Sequence, residues 1–262
     1  MAVVDVNGAR LWYDEAGSGQ TVLLLHGGLG DSGLWEPVVP LLAERFRTIR
    51  IDLRFFGRST GPAVPWSWQE DVVGVLDELG VERAALVGLS LGGRIALDVA
   101  LAHPDRLWAV VGVAPGLAGH DGAPYTEEQG ARYDAAEAAG DLEAAMAVDF
   151  EVWAPLGADD RIRQLWRATP DANPLPDGVE PLGPAGAPAK ERLGELAIPV
   201  LVVTAKHDPP GFREIGPLVA RAAPDARHVE LESDHYLTLR EPELVARTLL
   251  EFLAEVSPNA RA

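Results

Sequence analysis

The sequence alternates nearly continuous apolar runs with segments whose apolar residues recur every three or four positions. Continuous apolar runs are typical of strands buried on both faces, as in a parallel sheet. The intervening periodicity predicts amphipathic helices, and strands that alternate with helices form crossover units of one open sheet. We therefore predict an α/β fold with a mostly parallel central sheet and helices on both faces. The predicted strands cover residues 21–25, 48–51, 84–87, 107–113, 198–203 and 226–231, and the predicted helices cover residues 34–45, 67–79, 91–102, 215–222 and 242–256.

Two short strand-like segments, 2–6 and 11–15, precede this pattern and are joined by Asn7 and Gly8. Asn and Gly both tolerate the positive φ angles of a tight hairpin turn. The two segments are therefore expected to pair antiparallel at the start of the fold.

The alternation stops after residue 113. Segments 127–139 and 142–153 have helical patterns, and a stretch rich in proline and glycine follows at 169–188. A structureless loop of this length is improbable in a compact domain, whereas a lid over an active site is a common use of an insertion. We therefore predict an α/β core interrupted by a helical cap, with the core formed by residues 1–114 and 191–262 and the cap by residues 115–190.

Charge and composition exclude several partners. The formal net charge of −18 repels the phosphates of nucleic acids and of anionic membranes. No apolar run approaches the ~18 residues that span a bilayer, and no secretion signal is evident, so we expect a cytoplasmic protein. The chain has no cysteine, which excludes disulfides, thiolate nucleophiles and cysteine-ligated metal clusters. Whether it forms a homo-oligomer stays open.

Ser90 lies in the pentapeptide Gly88-Leu-Ser-Leu-Gly92, between a predicted strand and a predicted helix. Glycines two residues away on each side allow a sharp turn that strains the serine backbone and exposes its Oγ. Ser90 is therefore a candidate nucleophile. The alternative is an ordinary helix N-cap, whose hydroxyl accepts a hydrogen bond from a free amide.

A serine nucleophile needs an adjacent base and an acid that orients the base. His235 follows the last predicted strand and is our candidate base, although a solvated loop histidine is the alternative. Asp208 follows the strand 198–203 and is our candidate acid, although it also suits a turn before Pro209. Asp234 competes with Asp208, but adjacent residues rarely present their side chains to each other. The chain order Ser90, Asp208, His235 is that of nucleophile-elbow hydrolases.

Backbone amides are the simplest donors for an oxyanion, since they need no reorganisation. The amide of Leu91 is one candidate, and the amide of Gly28, in the glycine-rich segment after strand 21–25, is the other. A flexible turn is the alternative interpretation of that segment. His26 is expected to orient the loop by hydrogen bonding rather than to act as a base.

Five segments in this order carry a resemblance to a known family: LLLHGGLGDS, DLRFFGRS, GLSLGG, AKHDPPG and SDHYLTLREP. The chain resembles the serine hydrolases of the α/β-hydrolase family from about residue 3 to residue 253. Small esterases, lactonases similar to enol-lactone hydrolases and cofactor-free haloperoxidases are the most similar branches. The resemblance implies a catalytic triad of Ser90, Asp208 and His235.

The sequence departs from the family pattern at two places. Family members commonly have glycine where this chain has Phe55, so we expect a specificity role for this side chain. If the position requires positive φ, the phenylalanine costs on the order of 1 kcal/mol or more. Ser233 and Asp234 stand before His235, where relatives often carry glycines.

These observations predict hydrolysis of a small carboxylic ester or lactone through an acyl-enzyme, with no cofactor and no metal. The substrate-binding candidates are Phe55 and two aromatic residues of the predicted cap, Trp153 and Tyr125, although cap aromatics such as Phe150 and Trp166 more often pack a core. Three alternatives stay open: perhydrolysis with haloperoxidase activity, carbon–carbon bond hydrolysis, and a ligand receptor that retains the fold.

Overall fold

A computed structural model describes residues 2–167, 169, 181–183 and 186–258. Within them, eight strands form one sheet: β1 (Ala2–Val6), β2 (Ala9–Ala16), β3 (Thr21–Leu25), β4 (Arg47–Ile51), β5 (Ala84–Leu89), β6 (Leu107–Val113), β7 (Val200–Ala205) and β8 (Ala226–Leu231). Their order is β1-β2-β4-β3-β5-β6-β7-β8. β1 pairs antiparallel with β2, and β2 with β4, whereas every other neighbouring pair is parallel. The predicted α/β fold and the antiparallel start are confirmed.

Helices connect these strands. Those in the described residues are α1 (Val39–Leu42), α2 (Trp68–Glu78), α3 (Leu91–Ala102), α4 (Glu127–Ala139), α5 (Leu142–Trp153), α6 (Asp160–Trp166), α7 (Ala189–Arg192), α8 (Pro210–Ala222), α9 (Leu237–Arg240) and α10 (Pro242–Val256). Four of them, α3, α4, α5 and α10, have the predicted bounds. The short helices α6, α7 and α9 were not predicted, because a helix of one or two turns leaves too few periodic positions in the sequence.

The predicted helix at 34–45 is wrong. A 3-10 helix (Ser32–Trp35) and the single turn of α1 occupy this segment instead. Pro37 and Pro40 lie within the predicted span, and a proline has no amide with which to continue the hydrogen-bond ladder. Helix α8 begins five residues earlier than the apolar pattern predicts, because Pro210 suits the first turn of a helix.

Both faces of the sheet are covered by helices. Leu24 contributes to a buried cluster with residues of α1, α5 and α10, and its neighbour Leu23 to a second cluster with residues of α2, α3 and α8. Successive strand residues point to opposite faces, so continuous apolar runs are needed where both faces are buried. Each fully buried leucine or valine contributes about 1.5–3 kcal/mol to folding.

The carboxyl ends of the parallel strands meet at one edge of the sheet, where loops carry functional groups in open α/β sheets. Helices α4, α5 and α6 lie in the chain between β6 and β7. Aromatic residues of α5 join the same buried cluster as the last residues of β6. Most of the proline- and glycine-rich stretch 169–188 lies outside the described residues, and the division into core and cap stays a prediction. No helix in the described part of the chain is long and apolar enough to cross a bilayer.

Candidate active site

Ser90 occupies the sharp turn between β5 and α3. Its φ of 52° and ψ of −111° cost a non-glycine residue on the order of 1–3 kcal/mol. The flanking glycines permit this turn, because a Cβ at Gly88 would lie 2.1 Å from the carbonyl oxygen of Gly92. A Cβ at Gly92 would lie 2.4 Å from the carbonyl oxygen of Leu25, at the end of β3. Close packing against β3 therefore holds the serine in its strained conformation.

The backbone of Ser90 is anchored, but its hydroxyl is not used for structure. The Ser90 amide donates to the carbonyl of Val113 at 2.9 Å, and its carbonyl accepts from the amide of Gly116 at 3.0 Å. Ser90 occupies the N-cap position of α3, but its side chain makes no hydrogen bond to the helix, contrary to the alternative of an ordinary capping serine. Ser90 instead lines a cavity at the carboxyl edge of the sheet.

His235 and Asp208 meet beside this cavity. The Nδ1 atom of His235 lies 3.1 Å from Oδ2 of Asp208, and the two side chains are 5% and 1% exposed. An ionised carboxylate only accepts hydrogen bonds, so this contact favours the tautomer with the proton on Nδ1 and a free Nε2. The loops after β7 and β8 are tied together, since the amide of His207 donates to the carbonyl of Ser233 at 3.0 Å.

Ser90 and His235 line the same cavity, but no hydrogen bond joins their side chains in the structure. Catalytic hydrogen bonds are often long without substrate and shorten in the complex. The structure therefore places the candidate base and the candidate nucleophile at the same cavity.

Asp234 is directed away from His235. Its Oδ1 accepts from Nε of Arg240 at 2.6 Å and from the amide of Tyr236 at 3.2 Å, and its Oδ2 accepts from the amide of Leu156 at 3.2 Å. Of the two candidate acids, Asp208 is the one that contacts the histidine.

Gly28 and Leu91 both line the cavity, and within the described chain neither backbone amide makes a hydrogen bond. His26 holds the loop after β3, which contains Gly28, against the segment after β4. Its Nε2 accepts from the amide of Leu53 at 2.9 Å, and its Nδ1 lies 2.8 Å from the carbonyl of Gly27. Burial lowers the pKa of His26, which keeps the ring neutral and able to accept that bond. His26 is thus an orienting residue, as its position in the sequence suggests.

The cavity has a volume of about 350 Å³ and mostly apolar walls. The predicted substrate-binding residues Phe55, Trp153 and Tyr125 all line it, whereas Phe150 and Trp166 do not. Leu29, Phe56, Trp68 and Phe212 also line it and were not singled out from the sequence. Phe212 lies in the first turn of α8, only four residues after Asp208. This short separation from a candidate catalytic residue could have identified Phe212 as a cavity residue.

The aromatic walls form two groups of contacting rings. Phe55 and Phe56 belong to a group near the start of α2, where the Phe56 and Trp68 centroids are 6.4 Å apart. Trp153 belongs to the other group and packs on Phe212 at 4.9 Å. Its indole also contacts the imidazole of His235, with ring centroids 4.4 Å apart. One wall of the cavity is therefore in direct contact with the candidate base.

Phe55 has a φ of 70°, the left-handed region that favours glycine. Its ring meets Trp66 edge to face, with centroids 4.8 Å apart. The strained backbone costs on the order of 1 kcal/mol or more, and the aromatic contact contributes a similar amount. The Phe55 side chain is thus fixed at the cavity wall.

Arg54 also lines the cavity, but its charge is compensated. Its Nε and Nη2 atoms donate to the two carboxylate oxygens of Asp71, each at 2.8 Å, and both side chains are buried. A bidentate pair of this kind leaves little net charge for a ligand. In the described residues, no cluster of histidine and acidic side chains could hold a metal ion.

A model of the alpha/beta hydrolase fold matches residues 20–242 of the chain. The chain belongs to this family. This α/β hydrolase is 29% identical over 273 residues to the 2-(acetamidomethylene)succinate hydrolase of Mesorhizobium japonicum, across 95% of this chain and 94% of the relative. It is 30% identical over 256 residues to the pimeloyl-acyl-carrier-protein methyl ester esterase of Aeromonas hydrophila, across 92% of this chain and 98% of the esterase.

Solved structures agree with the assignment. The enol-lactonase from Burkholderia xenovorans LB400 superposes on this α/β hydrolase with a TM-score of 0.66 at 25% identity, across 96% of this chain and 99% of the lactonase. Hydrolases of several substrate classes thus share the fold and most of the length of this α/β hydrolase.

Proposed function

We propose that this α/β hydrolase cleaves a small carboxylic ester or lactone by serine acyl transfer. One observation carries the proposal: an uncapped, strained Ser90 and a His235 bonded to Asp208 line the same apolar cavity. A hydroxyl with a nearby oriented base is the arrangement required for nucleophilic catalysis.

In the first step, Oγ of Ser90 attacks the substrate carbonyl carbon and His235 Nε2 takes the hydroxyl proton. The carbonyl oxygen becomes an oxyanion, which the amides of Gly28 and Leu91 stabilise. Collapse of this intermediate breaks the bond to the alcohol oxygen, which receives the proton from His235. The acyl group is then an ester of Ser90, and in a lactone the released alcohol stays attached to it.

In the second step, water gives a proton to His235 and adds to the acyl carbon. The resulting oxyanion collapses, the bond to Ser90 breaks, and His235 returns the proton to Oγ. Asp208 keeps the imidazole in the required tautomer and stabilises it when charged.

The cavity favours a substrate whose acyl or ring portion is uncharged and apolar. Six of the twelve residues that line it are Phe, Tyr or Trp, and the charge of Arg54 is compensated by Asp71. A free carboxylate there would lose its hydration without gaining an unpaired cation.

The test is a panel of p-nitrophenyl esters and simple lactones, run with the wild type and with Ser90→Ala. We expect many turnovers per wild-type molecule on short esters or lactones and a loss of about 10³-fold or more in kcat for the variant. A fluorophosphonate should add once per chain, at Ser90. A folded protein that neither reacts with it nor hydrolyses any member of the panel would overturn the proposal. A ligand-induced rise in Tm without product would instead indicate a receptor.

A further inference from the structure

Asp149 is a buried carboxylate that the proposed reaction does not use. It lies on α5, is 1% exposed, and has no ion-pair partner among the described residues. Burial raises the pKa of Asp149, because the charged form loses its hydration. A buried charge without a cation is costly, so an apolar residue would serve better if packing were its only role.

Its two oxygens are engaged by neutral donors from two other segments. The hydroxyl of Tyr125, just before α4, donates to Oδ1 at 2.5 Å. The indole Nε1 of Trp166, the last residue of α6, donates to Oδ2 at 2.5 Å. One carboxylate therefore connects the start of α4, the middle of α5 and the end of α6.

The same hydroxyl connects this carboxylate to the cavity. Nε1 of Trp153 donates to the Tyr125 oxygen at 3.1 Å, so Tyr125 accepts from the indole while it donates to Asp149. Trp153 follows Asp149 by four residues on α5 and faces the same side of the helix. Tyr125 and Trp153 line the cavity, and the Trp153 ring packs on His235.

We propose that Asp149 is a positioning residue: it directs the Tyr125 hydroxyl so that the Trp153 indole is held as a fixed wall against His235. The inference rests on the proposed function and identifies what sets its selectivity for the substrate's apolar group. Without Asp149, the hydroxyl is free to rotate and the indole loses its oriented acceptor. The wall is then less well ordered, and larger apolar groups lose more binding than small ones.

Asp149→Asn is the direct test, because the shape is kept while one acceptor becomes a donor. The amide has one acceptor oxygen where the carboxylate has two, so it cannot accept from both Tyr125 and Trp166. We expect KM for p-nitrophenyl butyrate to rise about five-fold, an effect typical of one lost hydrogen bond, with kcat on the acetate ester within about two-fold of wild type.

Four further variants distinguish a positioning role of Asp149 from a purely structural one. Glu151→Gln is the matched control, since this carboxylate lies on the same helix but is exposed and paired with Arg132. It should leave KM unchanged. Tyr125→Phe should reproduce the KM effect of Asp149→Asn, and the double variant should be no worse than either single one. Trp166→Phe should lower Tm without changing the ratio of KM values for butyrate and acetate.

The proposal is overturned if Asp149→Asn lowers Tm but leaves the ratio of the KM values for butyrate and acetate unchanged. It is also overturned if the KM effects of Asp149→Asn and Tyr125→Phe add in the double variant. If Asp149→Asn does not fold, Tyr125→Phe and Trp166→Phe give the same comparison. Crystal structures make the test independent of turnover: the Trp153–His235 centroid distance, 4.4 Å here, should increase in Asp149→Asn and Tyr125→Phe but not in Glu151→Gln. If this centroid distance is unchanged in Asp149→Asn and Tyr125→Phe, the positioning role is wrong. If the wild type hydrolyses none of the substrates, only the proposed function is wrong.

Discussion

Nε of Arg240 donates to Oδ1 of Asp234 at 2.6 Å, so the carboxylate that precedes His235 in the chain is held away from the imidazole. The carboxylate bonded to the imidazole, Asp208, comes from a loop 27 residues earlier. The acid that contacts His235 is therefore not its neighbour in the sequence, Asp234, but the more distant Asp208.

Replacement of each acid should therefore affect a different property. We expect Asp208→Asn to lower kcat on p-nitrophenyl acetate by about 10⁴-fold, because the amide favours the wrong histidine tautomer. Asp234→Asn breaks an ion pair whose carboxylate is buried and whose guanidinium is 21% exposed, and should cost about 1–3 kcal/mol of unfolding free energy, with kcat within about three-fold of wild type. Urea unfolding and initial rates measure the two effects. Equal losses of kcat in both variants would contradict the assignment of Asp208.

Gly88→Ala should prevent the serine turn from forming. The added Cβ would lie 2.1 Å from the carbonyl oxygen of Gly92, and backbone on both sides cannot yield. We expect a loss of about 3 kcal/mol or more in unfolding free energy, or no folded protein. Gly130→Ala is the control, because Gly130 lies within α4 and a Cβ there meets nothing within 4 Å. It should stabilise the protein by about 0.5–1 kcal/mol.

Phe55 should limit the size of the substrate. We expect Phe55→Gly and Phe55→Ala each to raise kcat/KM for p-nitrophenyl octanoate relative to acetate by about 10-fold, because both remove the ring from the cavity wall. Their stabilities should differ, since only glycine is relaxed at a φ of 70°. Phe55→Gly should be about 1 kcal/mol more stable than Phe55→Ala. An unchanged octanoate-to-acetate ratio in both variants would argue against a specificity role.

His26 should make stability fall in mild acid. Burial lowers its pKa from the ordinary value of 6.5, so the folded ring stays neutral at pH values where the unfolded ring binds a proton. Unfolding then takes up a proton, and the unfolding free energy falls as the pH drops below 6.5, by at most about 1.4 kcal/mol per pH unit from this residue. His26→Asn should lack this contribution. Urea titrations of both proteins from pH 7.5 to 5 measure it, and a constant difference between them would count against the neutral ring.

The sequence was sufficient to predict the strands, their order in the chain and the residues that follow them. Ser90, Asp208 and His235 were identifiable because each comes after a strand of a parallel sheet, and the carboxyl ends of such strands share one edge. These features were predictable because they depend on apolar runs and on the few residues that follow each run. The choice of Asp208 over Asp234 followed from chain geometry alone.

The cavity walls were only partly predictable. Trp68 lines the cavity because of how α2 packs, and no short-range pattern separates it from core aromatics. The role of Asp149 depends on donors 24 residues before it and 17 residues after it, which only the folded chain brings together. The helix predicted at 34–45 failed for a local reason, since two prolines interrupt an otherwise helical pattern.

The groups assigned to proton transfer come from loops after β5, β7 and β8, whereas Tyr125 and Trp153 come from the segment between β6 and β7. If the proposed mechanism holds, the substrate range can be changed through that segment without replacing a residue assigned to proton transfer. The contact between the Trp153 indole and the His235 imidazole, whose ring planes are inclined at 49°, sets one condition on such redesign. A segment transplanted from another protein must supply an aromatic ring at position 153. Otherwise His235 loses the side chain against which its imidazole packs.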